Sequence, residues 1–127
     1  AETKGGLDSA AYLDAKAKAA RLAGAGGIDR LLKDNKVDLL VGVTNGPAWT
    51  TDLVNGDHYT GPSVSQMPAV AGYPHLTVPM GAIEGLPVGL SFIGTKWSDA
   101  DVLAAGYAYE QASAKRVTPT YRAALVP

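Results

Sequence analysis

The clearest strand in the sequence reads Gly85-Leu86-Pro87-Val88-Gly89-Leu90-Ser91-Phe92-Ile93-Gly94. Large apolar side chains alternate there with Gly89 and Ser91, and this period of two is typical of a strand with one buried face. The strand is predicted over 86–94, directly after a Glu84-Gly85 turn. A second strand is predicted over 75–79, on the other side of that turn. The sequence therefore predicts two strands with a turn between them.

A third strand is predicted over 37–43, where the sequence reads Val37-Asp38-Leu39-Leu40-Val41-Gly42-Val43. An apolar run so nearly continuous is typical of a strand covered on both faces, as in the parallel sheets of α/β proteins. Good helix formers at helical spacing predict helices over 9–23, 28–35 and 98–115. The glycines at 24–27 are expected to break the first helix from the second, and Ser98 with Asp101 resembles a capping box. The predicted fold class is α/β.

The composition excludes several classes of function. The chain has 127 residues, of which 46% are apolar and 18% charged, enough for a folded core. With a net charge of −1, neither nucleic acid nor an anionic membrane is expected as the main partner. No segment approaches the roughly 20 apolar residues of a membrane span. Cysteine is absent, which removes disulfides and thiolate chemistry, and the two histidines belong to no cluster of metal ligands.

The polar residues of this chain do not assemble a complete catalytic set. No serine lies in a Gly-x-Ser-x-Gly elbow, and no glycine-rich phosphate loop is present. Ser91 is interpreted as a small packing residue of a strand, and His75 as a hydrogen-bonded packing residue. Asp99 and Asp101 are interpreted as helix-start residues that suit the helix dipole, rather than as a catalytic carboxylate pair. The sequence therefore predicts no catalytic residue and no metal site in the chain.

The order of several blocks resembles the amidase signature hydrolases. A Gly46-Pro47-Ala48 loop follows the strand predicted over 37–43. The run Ala71-Gly72-Tyr73-Pro74-His75-Leu76-Thr77-Val78-Pro79 is similar to the Gly-x-Pro-x-x-x-x-Pro block of that family. Residues 85–94 resemble its Gly-Leu-Pro-(Val/Ile)-Gly-Leu-Gln-(Leu/Phe)-(Ile/Val)-Gly strand, and 101–111 resemble its closing helix. The resemblance covers nearly the whole chain and favours a bacterial member of the peptide amidase kind.

The resemblance implies that this chain is one part of an enzyme. The family hydrolyses amides with a Ser-Ser-Lys triad that lies in and before a glycine- and serine-rich signature, and no such stretch occurs here. Residues 1–127 are therefore expected to be the C-terminal portion of a single amidase domain, with a large mixed sheet and helices on both faces. The chain begins with Ala1 rather than Met, so a preceding segment is expected. The chain alone is predicted to be inactive, and the rest of the amidase chain is its expected partner.

The resemblance also implies which residues contact substrate. In relatives, the cleft is walled by the loop after the apolar strand, the segment before the Gly-x-Pro block and the residue before the last helix. The matching positions are Trp49, Thr50, Tyr59, Ser63, Gln66 and Trp97. Aromatic rings offer apolar area, and a glutamine both donates and accepts hydrogen bonds, which suits a small amide or peptide amide substrate. Ordinary loop packing is the alternative for each of them, and no metal or organic cofactor is implied.

Two other functions stay open on the sequence. One is the amidotransferase component with the same fold, which delivers ammonia to a charged transfer RNA within a complex. The other is a non-catalytic module that binds small amides or a partner. The compartment is left open between cytoplasm and periplasm, because the lack of cysteine fits both.

Overall fold

The computed structural model describes residues 3, 5–59 and 61–121. Its elements in chain order are α1 (Ala10–Ala23), a π-helical turn (Gly24–Ile28), α2 (Asp29–Asn35), β1 (Leu40–Val43), α3 (Gln66–Ala71), β2 (His75–Ile83), β3 (Leu86–Ile93) and α4 (Asp99–Ser113). Within the described residues, no helix is long and apolar enough to cross a bilayer.

The three strands form one sheet in the order β1-β3-β2, and both pairings are antiparallel. Ile93 of β3 lies opposite Leu40 of β1 on one side and His75 of β2 on the other. On its sequence alone, the apolar run at 37–43 was compared with the strands of parallel sheets. That comparison was wrong for the direction of pairing, because β1 is antiparallel to β3. A continuous apolar run indicates that a strand is buried, but it does not indicate the direction in which the strand pairs. β1 is an edge strand of the sheet, and its Val41 side chain is 63% exposed.

Helices cover both faces of the sheet, as the α/β prediction requires. On one face, Ile28 and Leu32 pack against Ile93. On the other face, Val102 of α4 packs against Val78 and Phe92. This arrangement confirms the α/β class, because each sheet face buries its apolar side chains against a helix.

The glycines at 24–27 do not break the helix, contrary to the prediction. The chain continues from α1 into α2 through the π-helical turn, in which the Asp29 N–H donates to the Gly24 carbonyl. Ile28 is only 1% exposed, so tertiary packing of this turn outweighs the low helix propensity of glycine. A side chain at Gly27 would place its Cβ 2.7 Å from the Leu22 carbonyl oxygen, so the missing side chain is what permits the turn.

Several predicted element ends differ from the structure. β1 begins at Leu40 rather than 37, because Lys36 takes a left-handed φ of 53° and the Val37 N–H still donates to Leu32 as the helix closes. β2 extends beyond 79 to Ile83, since a bulge between Pro79 and Gly81 lets the pairing continue. The α4 helix ends at Ser113, two residues before the predicted end.

The capping box predicted at Ser98 is also absent. The Ser98 hydroxyl donates backwards to the Thr95 carbonyl over 2.8 Å and caps no helical N–H. The serine therefore closes the turn that precedes α4.

Candidate functional site

The predicted substrate residues do not form one pocket within the described residues. Trp49 and Tyr59 line one cleft, Ser63 and Gln66 a second, and Trp97 a third, and no residue is shared between them. Thr50 is exposed and lines none of the three.

The first cleft, of about 370 Å³, lies in the long loop after β1. The rings of Trp49 and Tyr59 meet edge to face there, with centroids 5.1 Å apart and planes at 61°. The Tyr59 hydroxyl lies 3.0 Å from the Pro62 carbonyl oxygen and 3.2 Å from Asn45 Oδ1. An aromatic pair held in this way offers an apolar wall, and the Tyr59 hydroxyl already has hydrogen-bond partners.

The second cleft is an apolar groove of about 430 Å³ between the helices and β1. Ser63 and Gln66 stand among its apolar residues, which are Ile28, Leu31, Leu40, Val41, Val64, Met67, Pro68 and Ile93. The two polar side chains are exposed, so they are free to meet a ligand or another segment of protein.

The third cleft is the smallest, at about 180 Å³, and lies between two segments of chain. Tyr73 and its neighbours form one wall, while Lys96, Trp97 and Asp99 form the other. Trp97 is 83% exposed and takes a left-handed φ of 68°, and the Lys96 ammonium lies 5.5 Å from the centre of its ring. A left-handed φ is uncommon and strained for a residue other than glycine.

One carboxylate links Tyr73 on the first wall of the third cleft to Thr95, which lies outside the cleft two residues before Trp97. The Tyr73 hydroxyl donates to Asp29 Oδ2 over 2.7 Å, and the Thr95 hydroxyl donates to Asp29 Oδ1 over 2.7 Å. The bond to the Asp29 carboxylate raises the pKa of Tyr73. Sequence reasoning missed this connection, because Asp29 is separated from Tyr73 by 44 residues and from Thr95 by 66.

A second polar cluster links the three strands. His75 Nε2 lies 2.6 Å from the fully buried hydroxyl of Ser91, which lies 2.8 Å from the Thr44 hydroxyl. Thr44 also contacts Thr77. When Nδ1 carries the imidazole proton, Nε2 accepts from Ser91, and Ser91 accepts from Thr44.

This cluster does not have the features of a serine–histidine catalytic pair. Ser91 is fully buried, and among the described residues no carboxylate is hydrogen-bonded to His75. Burial lowers the pKa of His75, which favours the neutral ring. Two predictions are thereby confirmed: His75 is a hydrogen-bonded packing residue, and Ser91 is a small packing residue of a strand.

Known proteins share both the sequence and the fold of this chain. No family model matches it. The peptide amidase of Stenotrophomonas maltophilia is 46% identical to this chain, of which it covers 94%, with a TM-score of 0.83. A bacterial aryl acylamidase of the amidase signature family is 25% identical and covers 84%, with a TM-score of 0.59. The chain belongs to the amidase signature family. The family resemblance drawn from residues 37–111 is thus confirmed.

Amidase signature proteins of a different role are also similar to this chain. A glutamyl-tRNA(Gln) amidotransferase component from Latilactobacillus sakei is 42% identical over 83 residues, which are 60% of this chain. The chain spans 16% of the length of that protein and 24% of the peptide amidase. It therefore corresponds to a segment of an amidase signature protein.

Proposed function

We propose that residues 1–127 are the C-terminal portion of a single amidase domain, in an enzyme that hydrolyses a carboxamide C–N bond to a carboxylate and ammonia or an amine. The observation that carries this proposal is the similarity to the peptide amidase, at 46% identity across 94% of the chain. A serine activated through a second serine and a neutral lysine attacks the carbonyl, and water cleaves the acyl-enzyme. These three residues lie upstream of the chain, which is inactive on its own.

In this proposal the chain completes the sheet and packs against the rest of the enzyme. β1 is one of the two edge strands of the described sheet, and it presents Val41 to solvent. The apolar groove that contains Ser63 and Gln66 adjoins this edge. An open strand edge beside apolar surface is stabilised when protein covers it, which the remainder of an amidase domain does.

The aromatic clefts supply substrate contacts in this proposal. Trp49 and Tyr59 present an apolar wall of two rings that meet edge to face, and Trp97 presents another exposed ring. Gln66 offers an amide that pairs with a peptide backbone, while Ser63 and Thr50 add hydroxyl groups. The remainder of the domain brings these surfaces around one substrate, a small amide or a peptide amide.

The test begins with the intact mass of the protein as its native host makes it. A mass several times 13.1 kDa is expected, and ammonia release from a peptide amide is then measured for that protein and for the 127-residue chain. The whole protein is expected to hydrolyse the amide, and the chain alone is not. A native mass near 13.1 kDa without a second chain that supplies the triad contradicts the proposal, as does a whole protein with no amide hydrolysis.

The substrate contact has its own matched test. Trp97→Ala in the whole protein is expected to raise KM about tenfold, the equivalent of about 1.4 kcal/mol lost from an aromatic contact. Tyr107→Ala is the control, because Tyr107 is 66% exposed on α4 and lines none of the three clefts. Equal KM values for the two variants contradict a substrate role for Trp97.

The second candidate function is that of an amidotransferase component, which the similarity to the Latilactobacillus sakei protein favours. This function requires a stable complex with other proteins, so affinity capture from the native host decides between the two. Co-purifying proteins with amide transfer to charged transfer RNA favour the amidotransferase. A protein that hydrolyses peptide amides alone favours the amidase. A monomer of this chain that melts cooperatively and binds amides without hydrolysis indicates the non-catalytic module.

A further inference from the structure

The Asp29 carboxylate connects Tyr73, which lines the cleft that contains Trp97, with Thr95, which lies outside that cleft at the start of the turn that carries Trp97. One carboxylate oxygen accepts from Tyr73, which lines the first wall. The other accepts from Thr95, two residues before Trp97 on the second wall. Both bonds are 2.7 Å long, within the range of strong hydrogen bonds to an ionised group. A single side chain thus links Tyr73 on the first wall to the turn that carries Trp97 on the second wall.

The π-helical turn brings Asp29 to this position. The turn ends at Ile28, and Asp29 is the first residue of α2. At the other end of the turn, a Cβ on Gly24 would lie 2.9 Å from the Tyr73 hydroxyl oxygen. The absence of a side chain at Gly24 therefore leaves the space through which Tyr73 reaches the carboxylate. Gly24 therefore helps to place the Tyr73 hydroxyl beside Asp29, a role that its helix propensity does not explain.

Thr95 and Trp97 belong to one hydrogen-bonded turn before α4. The Thr95 carbonyl accepts from the Ser98 N–H over 3.2 Å and from the Ser98 hydroxyl over 2.8 Å. Trp97 lies inside this turn with its left-handed φ of 68°. Such a backbone conformation is strained for a residue other than glycine and persists where surrounding bonds fix it. The Asp29–Thr95 bond anchors the start of the turn to α2.

We propose that Asp29 is a positioning residue that sets the width of the cleft between Tyr73 and Trp97 for an amide substrate. This inference rests on the proposed amidase function. Asp29 acts through Tyr73 and Thr95 and touches no reacting atom. Loss of its carboxylate leaves Trp97 on a mobile turn, which weakens substrate binding and leaves the chemical step unchanged.

The first experiment measures the backbone order parameter of Trp97 by NMR relaxation in the whole protein. Asp29→Ala and Thr95→Val are expected to lower it from about 0.85, the value of rigid backbone, to below about 0.6. Asp34→Ala is the matched control, since Asp34 lies on the same helix and pairs only with the exposed Arg30 in the described structure. Thr95→Val retains the shape of the side chain, so it tests the bond even if Asp29→Ala unfolds. An unchanged order parameter in Thr95→Val overturns the proposal.

The second experiment measures peptide amide hydrolysis by the whole protein. Asp29→Ala is expected to raise KM about tenfold with kcat within about twofold, and Tyr73→Phe to raise KM without changing the order parameter of Trp97. A mobile Trp97 with unchanged KM overturns the positioning role. A wild-type protein without hydrolysis overturns the proposed amidase function instead, and the NMR measurement then still decides whether Asp29 holds the turn.

Discussion

Replacement of the Ser91 hydroxyl tests the polar cluster that joins the three strands. The perturbation is Ser91→Ala, which removes one oxygen atom from a position with no solvent exposure. His75 Nε2 and the Thr44 hydroxyl lose partners at 2.6 and 2.8 Å. Thr44 keeps its contact with Thr77, so His75 is the group left without a partner in the described cluster.

The expected cost follows from the number of bonds lost and from their burial. Each intramolecular hydrogen bond contributes about 1 kcal/mol net, and an unsatisfied buried group costs about 1–3 kcal/mol. Because His75 and Thr44 are half-buried, water recovers part of this loss. Ser91→Ala is therefore expected to lower the free energy of unfolding by about 1–2 kcal/mol.

Urea denaturation measures this change as a shift in midpoint at constant slope. Ser63→Ala is the control, because Ser63 is exposed in the loop after β1, and its change is expected to stay below about 0.5 kcal/mol. A Ser91→Ala protein as stable as the wild type would refute the reasoning. In that case the hydroxyl cluster contributes no net stability to the sheet.

Two further predictions concern stability. Burial lowers the pKa of His75, so the unfolded chain binds more protons than the folded chain does. The stability present above about pH 6.5 should therefore fall as the pH drops toward the folded pKa of His75. Urea midpoints from pH 8 to 5 measure this fall, and His75→Gln should flatten the profile while His58→Gln should not. Val102→Ala should cost about 2 kcal/mol, because Val102 is 2% exposed between α4 and the sheet. Leu103→Ala on the same helix, at 58% exposure, should cost less than about 0.5 kcal/mol in the same assay, and equal costs would contradict the packing of α4.

Local pattern and turn chemistry predicted much of the fold. The alternation around Gly89 and Ser91 is a property of neighbouring residues, and it placed β3 within one residue of its observed end. Val102 lies within the helix predicted over 98–115, and it is buried on α4. The family resemblance also followed from short blocks, because their glycines and prolines fix backbone geometry locally.

The geometry of the candidate site could not be predicted as well from the sequence. Trp49, Tyr59 and Trp97 could be named from the sequence as substrate residues, and that role stays a prediction. Their division among separate clefts depends on contacts between segments far apart in the chain. No spacing rule connects Asp29 to Tyr73 and Thr95, so the two hydrogen bonds of Asp29 could not be predicted from the sequence.

The sequence by itself determined the α/β class, the positions of the main helices and strands, and the amidase signature family. These depend on periodicity, turn residues and short motifs, all of which act over a few neighbouring positions. Only the tertiary structure decided the antiparallel pairing of β1, the unbroken helix through Gly24–Ile28 and the bonds of Asp29 and Ser91. Each of these arises where distant segments pack together, and there burial and hydrogen bonding outweigh local propensity.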